Sequence, residues 1–183
     1  MLTMNKFILG IIVIFSSVYT GVSYANVNAE NQVKALFLYN FANFVEWPES
    51  AFKSKLSPIR LCLYGDVPFG GFLDAVNGTL IGDRVLTMIR TQQKKDIEDG
   101  CHILYVGLDR TAELTSFFKN IKFNYVLSVG ERGDFVDKGG VVNIVRTTDQ
   151  VEFDINISNA LKNGLWVSSD LLSLARKIRR LNK

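Results

Sequence analysis

Apolar side chains follow two rhythms along this chain, and the first is helical. Between Val33 and Pro48, at about 100 degrees per residue, Val33, Leu36, Phe37, Phe41, Phe44 and Trp47 share one broad face. Leu38 and Val45 widen it until only Lys34, Asn43 and Glu46 stand out as clearly polar, and Pro48 stops the run. A helix this apolar has to be covered, so it reads first as a core helix. A partner-binding helix is the other reading of the same stripe, with Leu38 and Val45 as the leftover edge a partner would touch. Asn40 sits inside the stripe, and a buried amide needs hydrogen bonds, which predicts a tie to the backbone of a neighbouring element.

The second rhythm is that of buried strands. Ile59–Tyr64, Arg84–Arg90, Cys101–Gly107 and Tyr125–Val129 read as strands, and Val67–Asn77 and Leu108–Asn120 read as helices, with Gly78 ending the first and Asp109 or Thr111 capping the second. The mixed-charge segment Gln92–Gly100 reads as a solvated helix or loop. Strands that are nearly continuously apolar and alternate with helices argue for a parallel sheet covered on both faces. The pattern then changes. Val141–Arg146 and Val151–Ile157 flank the four residues Thr147–Gln150, which suits an antiparallel hairpin. Ser158–Asn163 is expected as a short helix capped by Gly164, and Ser168-Ser169-Asp170 opens a final helix carrying Leu171, Leu172, Leu174, Ala175, Ile178 and Leu181. The expected fold is a single α/β domain, a mostly parallel sheet flanked by helices, with a C-terminal antiparallel hairpin strand pair.

The N-terminus changes the setting. Lys6 precedes the uncharged run Phe7–Val18, and Ser23-Tyr24-Ala25 has the small residues a signal peptidase reads, so residues 1–25 are expected to be a cleaved secretory leader and residues 26–183 the mature domain. An uncleaved anchor is the alternative, since Phe7–Ala25 carries no charge and is nearly long enough to span a bilayer. Export puts Cys62 and Cys101 in an oxidising compartment, where a lone pair tends to join, so they are expected to form a disulfide; two buried free thiols are the alternative. Charge names no partner: 21 Lys and Arg stand against 18 Asp and Glu. The basic cluster Arg176, Lys177, Arg179, Arg180 and Lys183 would end a helix, and nucleic acid is not expected.

Chemistry-bearing patterns are sparse. Gly65, Asp66, Phe69 and Gly70 lie at a strand-to-helix junction, where open α/β sheets bind ligands, yet the Lys-Ser/Thr pair of a P-loop is missing and a simple turn is the plainer reading. Glu152, Asp154 and Asn156 share one face of a strand. Their oxygens would suit calcium, but a spacing of roughly 7 Å between alternate residues is too wide for one ion, so a solvated or partner-facing surface is favoured. His102 is the single histidine, and no Gly-x-Ser-x-Gly elbow accompanies it, so it is expected to be structural. With no CxxC and one histidine, no metal and no other cofactor is expected.

Read together, these segments resemble the YfiR/HmsC-like family of periplasmic α/β proteins. The motifs are Val33-Lys-Ala-Leu-Phe-Leu-Tyr-Asn-Phe41 through Phe44-Val-Glu-Trp-Pro48, Leu61-Cys62-Leu-Tyr-Gly65-Asp66 with Pro68-Phe69-Gly70, Arg84-Val85, and Cys101-His-Ile-Leu-Tyr105. They continue with Val126-Leu-Ser-Val129, Phe135, Gly139-Gly140, Phe153-Asp-Ile-Asn156, Gly164-Leu165 and Ser168-Ser169. The resemblance implies a non-catalytic regulator that represses an inner-membrane diguanylate cyclase by binding its periplasmic region, lowering cyclic di-GMP and biofilm formation. It matches Cys62 and Cys101 to one family disulfide, while Val136–Asn143 lacks the cysteines of a second bridge found in some members. It also matches Asp154 to an acidic family position, which makes its strand face a candidate partner surface. A homodimer is a further association open to the chain, and a periplasmic small-ligand-binding protein, with its pocket over Gly65–Gly71, is the alternative function.

Overall fold

A computed structural model describes residues 22–112, 114–120, 124–148 and 150–180; residues 1–21 of the expected leader lie outside them. The elements are α1 (Val22–Phe44), β1 (Val45–Glu46), β2 (Ile59–Tyr64), β3 (Leu80–Ile81), β4 (Arg84–Thr91), α2 (Lys94–Glu98), β5 (Ile103–Val106) and α3 (Leu114–Asn120). They continue with β6 (Leu127–Gly130), β7 (Val142–Arg146), β8 (Val151–Asn156), α4 (Ile157–Lys162), β9 (Trp166–Val167), α5 (Ser169–Leu174) and β10 (Lys177–Arg179). Eight strands form one sheet in the order β10-β8-β7-β6-β5-β2-β4-β3, and β1 pairs with β9 in a separate antiparallel ribbon. From β4 to β7 all neighbours are parallel, and β7 and β8 form the expected antiparallel hairpin.

Alternation along the central strands divides the interior in two. Leu61, Leu63, Ile103, Tyr105, Leu127 and Val129 point into the core that α1 covers. Cys62, Tyr64, Leu104 and Val106 point into a second core with Ile97 of α2 and Leu114 and Phe117 of α3. Neither face meets water, which is why these strands read as unbroken apolar runs. Cys62 and Cys101 are joined in the second core, with Cα atoms 5.9 Å apart, so the bond ties β2 to the residues leading into β5.

α1 forms, but it ends at Phe44, with Val45–Glu46 as β1 and Trp47 beyond it, and it is rotated from the expected face. Its buried line is Lys34, Ala35, Leu38, Phe41 and Ala42, whereas Leu36 is 55% exposed and Val33 39%. Leu38 is fully buried and Val45 nearly so, which corrects their placement on an exposed edge. The cause is the partner: Phe37 and Phe41 meet the ring of Phe153 on β8 edge-on, at 5.6 and 5.3 Å, and this contact sets the helix's rotation. Asn40 ends up only partly buried, so its amide keeps access to water.

Three expected helices are interrupted. Val67–Asn77 is a run of turns with one 3-10 turn at Asp74–Val76, because Gly70 takes a positive φ of 52° that an α-helix cannot contain. Leu108–Asn120 splits into a 3-10 turn at Leu108–Arg110 and the shorter α3, and Thr111 closes the first piece by donating its hydroxyl to the Leu108 carbonyl at 2.7 Å. The last helix starts as expected, with the Ser168 hydroxyl accepting the Leu171 N–H at 3.2 Å, but ends at Leu174. The chain then becomes β10, an edge strand parallel to β8, so Arg176, Lys177, Arg179 and Arg180 lie on and beside a strand instead of closing a helix, while Leu181 and Lys183 lie outside the described residues.

Phe135 shows why its neighbourhood needs glycine. Its fully buried ring lies against both Gly130 and Gly140, and a Cβ at either would collide with it. For the crosslink, the chain-entropy model with a separation of 39 residues gives a contribution of about 4 kcal/mol. Replacing both cysteines by serine is expected to lower the melting temperature by roughly 8–16 °C. Differential scanning calorimetry checks this, and an unchanged melting temperature would show the bond to be dispensable.

Candidate functional site at the carboxyl end of the sheet

The chain leaves β2 toward β4 on one side and returns to β5 on the other, so the switch in strand order lies between β2 and β5. In open α/β sheets the crevice at the carboxyl ends of two such strands is where ligands bind. Here the protein fills it. The Asp109 carboxylate accepts the Asp66 N–H at 2.8 Å and is paired with the Arg110 guanidinium at 2.9 Å. Gly65, with φ of 87°, and Gly107 both press their backbones against Asp109, leaving no room for a Cβ. Phe69 is fully buried against Tyr105, with ring centroids 4.7 Å apart, and Gly70 lies in the following turn. The four residues proposed as a ligand pocket are thus brought together, but around the partly exposed carboxylate of Asp109. Asp109 was expected as a helix cap; this is its actual task.

Beside the crevice lies a buried ionic chain that periodicity did not single out. Tyr105 of β5 donates its hydroxyl to Glu131, just past β6, at 2.6 Å. The other oxygen of Glu131 accepts from Lys34 of α1 at 2.7 Å, and the same ammonium reaches Glu30 one helical turn earlier at 2.6 Å. Arg146, the last residue of β7, extends the chain to the second oxygen of Glu30 at 3.2 Å. Burial by itself would lower the Lys34 pKa, but the bonds and charges of Glu131 and Glu30 outweigh it and hold it above the usual lysine value. Burial and the neighbouring Glu131 charge push the Tyr105 phenol up as well. Lys34 is therefore a cation and Tyr105 a neutral donor. Both oxygens of Glu131 are engaged by the protein's own side chains, so this carboxylate ties α1 to the strand ends and is not aimed at open space. The sequence signal was present in Glu30 and Lys34 at i and i+4, but Glu131 is distant in the chain.

At the other end of the sheet His102 is a structural residue, as expected. Its Nδ1 accepts the Arg60 N–H at 3.1 Å, Nε2 lies 3.2 Å from the Ala51 carbonyl, and the ring stacks on Phe52 with centroids 4.6 Å apart. Trp47 approaches His102 edge-on and donates its indole N–H to the Tyr125 carbonyl at 2.9 Å, which anchors the Trp-Pro end of the first motif. Burial, with the nearby Arg60 and Arg84 charges, pulls the His102 pKa down to about 4.

The polar strand face is also corrected. Asp154 is 5% exposed and accepts a two-pronged bond from Arg176 at 2.8 and 2.6 Å. Asn156 is 4% exposed, caps α4 by accepting the Asn159 N–H at 3.1 Å, and donates to the Val136 carbonyl at 3.1 Å. Only Glu152 retains access, and its carboxylate is bonded to the Gln150 amide at 3.0 Å. Arg176, just before β10, thus takes up Asp154, and Val136 and the start of α4 take up Asn156. Asp154 and Asn156, like Leu38 and Val45, are held inside the fold and are not accessible to a partner. Among the described residues no group of three or more His, Cys, Asp or Glu side chains is placed to hold a metal ion, and no helix is long and apolar enough to cross a membrane.

The fold and this internally satisfied crevice define an α/β domain with a mostly parallel sheet, crosslinked through one core and locked at its carboxyl end by its own charges. The family model described as YfiR/HmsC-like matches residues 31–176, and the chain belongs to that family. Among solved structures, the ABC domain in complex with L-Trp from Streptococcus pneumoniae is similar at 9% identity and a TM-score of 0.51, covering 82% of this chain and 60% of that one. A conserved domain protein from Vibrio cholerae O1 biovar eltor aligns at 10% identity and a TM-score of 0.46, covering 66% of this chain and 54% of that one. The first of these likenesses concerns the fold alone, and the chain spans little more than half the length of either protein.

Two predictions follow from the geometry. Lys34→Met leaves the largely buried Glu131 without its cation and Glu30 with only the exposed Arg146, and is expected to cost about 3 kcal/mol or more. Adding Glu131→Gln should restore part of that in urea unfolding, and a neutral single variant would contradict the tie. For His102, the folded value near 4 lies below the ordinary 6.5, so the unfolded chain binds the extra proton between those values. Stability is therefore full above about pH 6.5 and declines as pH falls toward 4. Melting temperatures from pH 7 to 4.5 should fall less steeply for His102→Gln than for the wild type.

Proposed function

We propose that this protein is a periplasmic repressor that binds the periplasmic region of an inner-membrane diguanylate cyclase, and so lowers cyclic di-GMP and biofilm formation. The observation that carries this reading is the YfiR/HmsC-like match over residues 31–176, which spans both cores and both ends of the sheet. The switch-point crevice is filled by Asp109, and the Glu131 carboxylate beside it is fully engaged by Lys34 and Tyr105. A small-ligand pocket over Gly65–Gly71 draws no support from that crevice.

In this mechanism the crosslinked domain docks on the cyclase and favours its inactive arrangement. Such a shift requires tighter binding to the inactive than to the active state; a binder indifferent to the two would change nothing. Deleting the gene is expected to raise cellular cyclic di-GMP, and restoring it on a plasmid should reverse the change. Nucleotide extraction with mass spectrometry makes the measurement, and an unaltered level on deletion would sink the repressor reading.

A further inference from the structure

The most strongly charged feature outside the crevice is a groove of about 500 Å³ bounded by α3, the loop at residues 136–139, α4 and β10. Five cations line it: Lys119, Lys138, Lys162, Arg179 and Arg180, against one carboxylate, Asp137. Arg179 is paired with Asp137 at 2.8 Å. Among the described residues none of the other four cations is in an ion pair, and all four are exposed. The formal charge of the whole chain is +3, so this one groove carries more positive charge than the total, and the remainder of the molecule is close to neutral. Like charges brought together from four separate elements repel each other, and an anionic partner would relieve that repulsion.

We propose that this groove is a docking site for an acidic, extended segment of a protein partner. Its shape and lining favour that occupant. The groove is concave, whereas a bilayer presents a broad surface that would meet the rim cations without filling the space between them. Phe118 and the 41% exposed Ile178 line it among the cations, giving apolar contact of the kind a peptide side chain uses and a free phosphate does not. The floor is rigid: the Asn159 amide donates to the Val136 and Gly140 carbonyls at 3.0 and 2.7 Å, and Asn156 also holds Val136. Gly139, with φ of 120°, lets the loop close against Phe118, where a Cβ would meet the side-chain carbons at 3.0–3.2 Å. The lysines and Arg180 thus stand on a fixed frame, and little order has to be imposed when a segment binds.

The inference deepens the repressor reading by naming the surface and the chemistry of the partner it fits, but its test does not depend on that reading. The probe is a hexaglutamate peptide titrated into the oxidised protein, followed by amide NMR shifts and by calorimetry. Saturable binding is expected, with shifts centred on Lys138, Gly139 and Lys162, weakened about tenfold or more by added salt. The variant with Lys119, Lys138, Lys162 and Arg180 all changed to glutamine should keep the wild-type melting temperature, since these side chains are exposed, and should lose the binding. A control with Lys53, Lys55, Lys94 and Lys95 changed to glutamine should retain it. Absence of peptide binding, equal binding by the two variants, or capture by phosphatidylglycerol vesicles in preference to the peptide would overturn the proposal. If gene deletion leaves cyclic di-GMP unchanged while the peptide still binds, the repressor reading fails and the groove stands.

Discussion

Because β2 and β5 present apolar side chains to both faces, each face has to be covered from elsewhere in the chain, and most of the architecture answers that demand. α1 covers one face through Leu38 and Phe41, and α2 and α3 cover the other through Ile97, Leu114 and Phe117. The crosslink between Cys62 and Cys101 lies inside the second cover, where it holds β2 against the entry to β5. Covering both faces also leaves the two ends of the sheet as the places where polar groups can gather. The structure uses one end for Trp47, His102 and Tyr125 and the other for Asp109, Glu131 and Lys34.

The carboxyl end is where the fold departs from what its class would suggest. A crevice that commonly receives a ligand is here occupied by Asp109, and the adjacent Glu131 spends both oxygens on Tyr105 and Lys34. A buried chain of this kind adds little net stability over an apolar equivalent, but breaking it strands a charge, so it fixes where α1 can lie. Attention therefore moves from the crevice to the outer surface. There the uncompensated charge is concentrated beside β10, the edge strand that pairs with β8.

Much of the fold could be read along the chain. The central strands, their parallel arrangement, the hairpin joining β7 and β8, the disulfide and the structural role of His102 all follow from local pattern and composition. The errors share a cause. Leu38 and Val45 were assigned to an exposed edge because the stripe on α1 is so wide that its centre is ambiguous, and only Phe153 on a distant strand decides it. Glu152, Asp154 and Asn156 alternate as a solvated face would, but Arg176, two helices further along the chain, folds back onto Asp154, and the Val136 carbonyl and the start of α4 take up Asn156.

The sequence alone determined which segments are apolar, their period, the cysteine pair and the family to which the chain belongs, because these depend on neighbours within a few residues or on composition. The tertiary structure decided which side of α1 faces inward, that Lys177–Arg179 form a strand and not a helix, that the switch-point crevice is filled, and that five cations from four elements meet at one groove. Each of these is set by contacts between residues far apart in the chain, where packing and charge pairing outweigh local propensity.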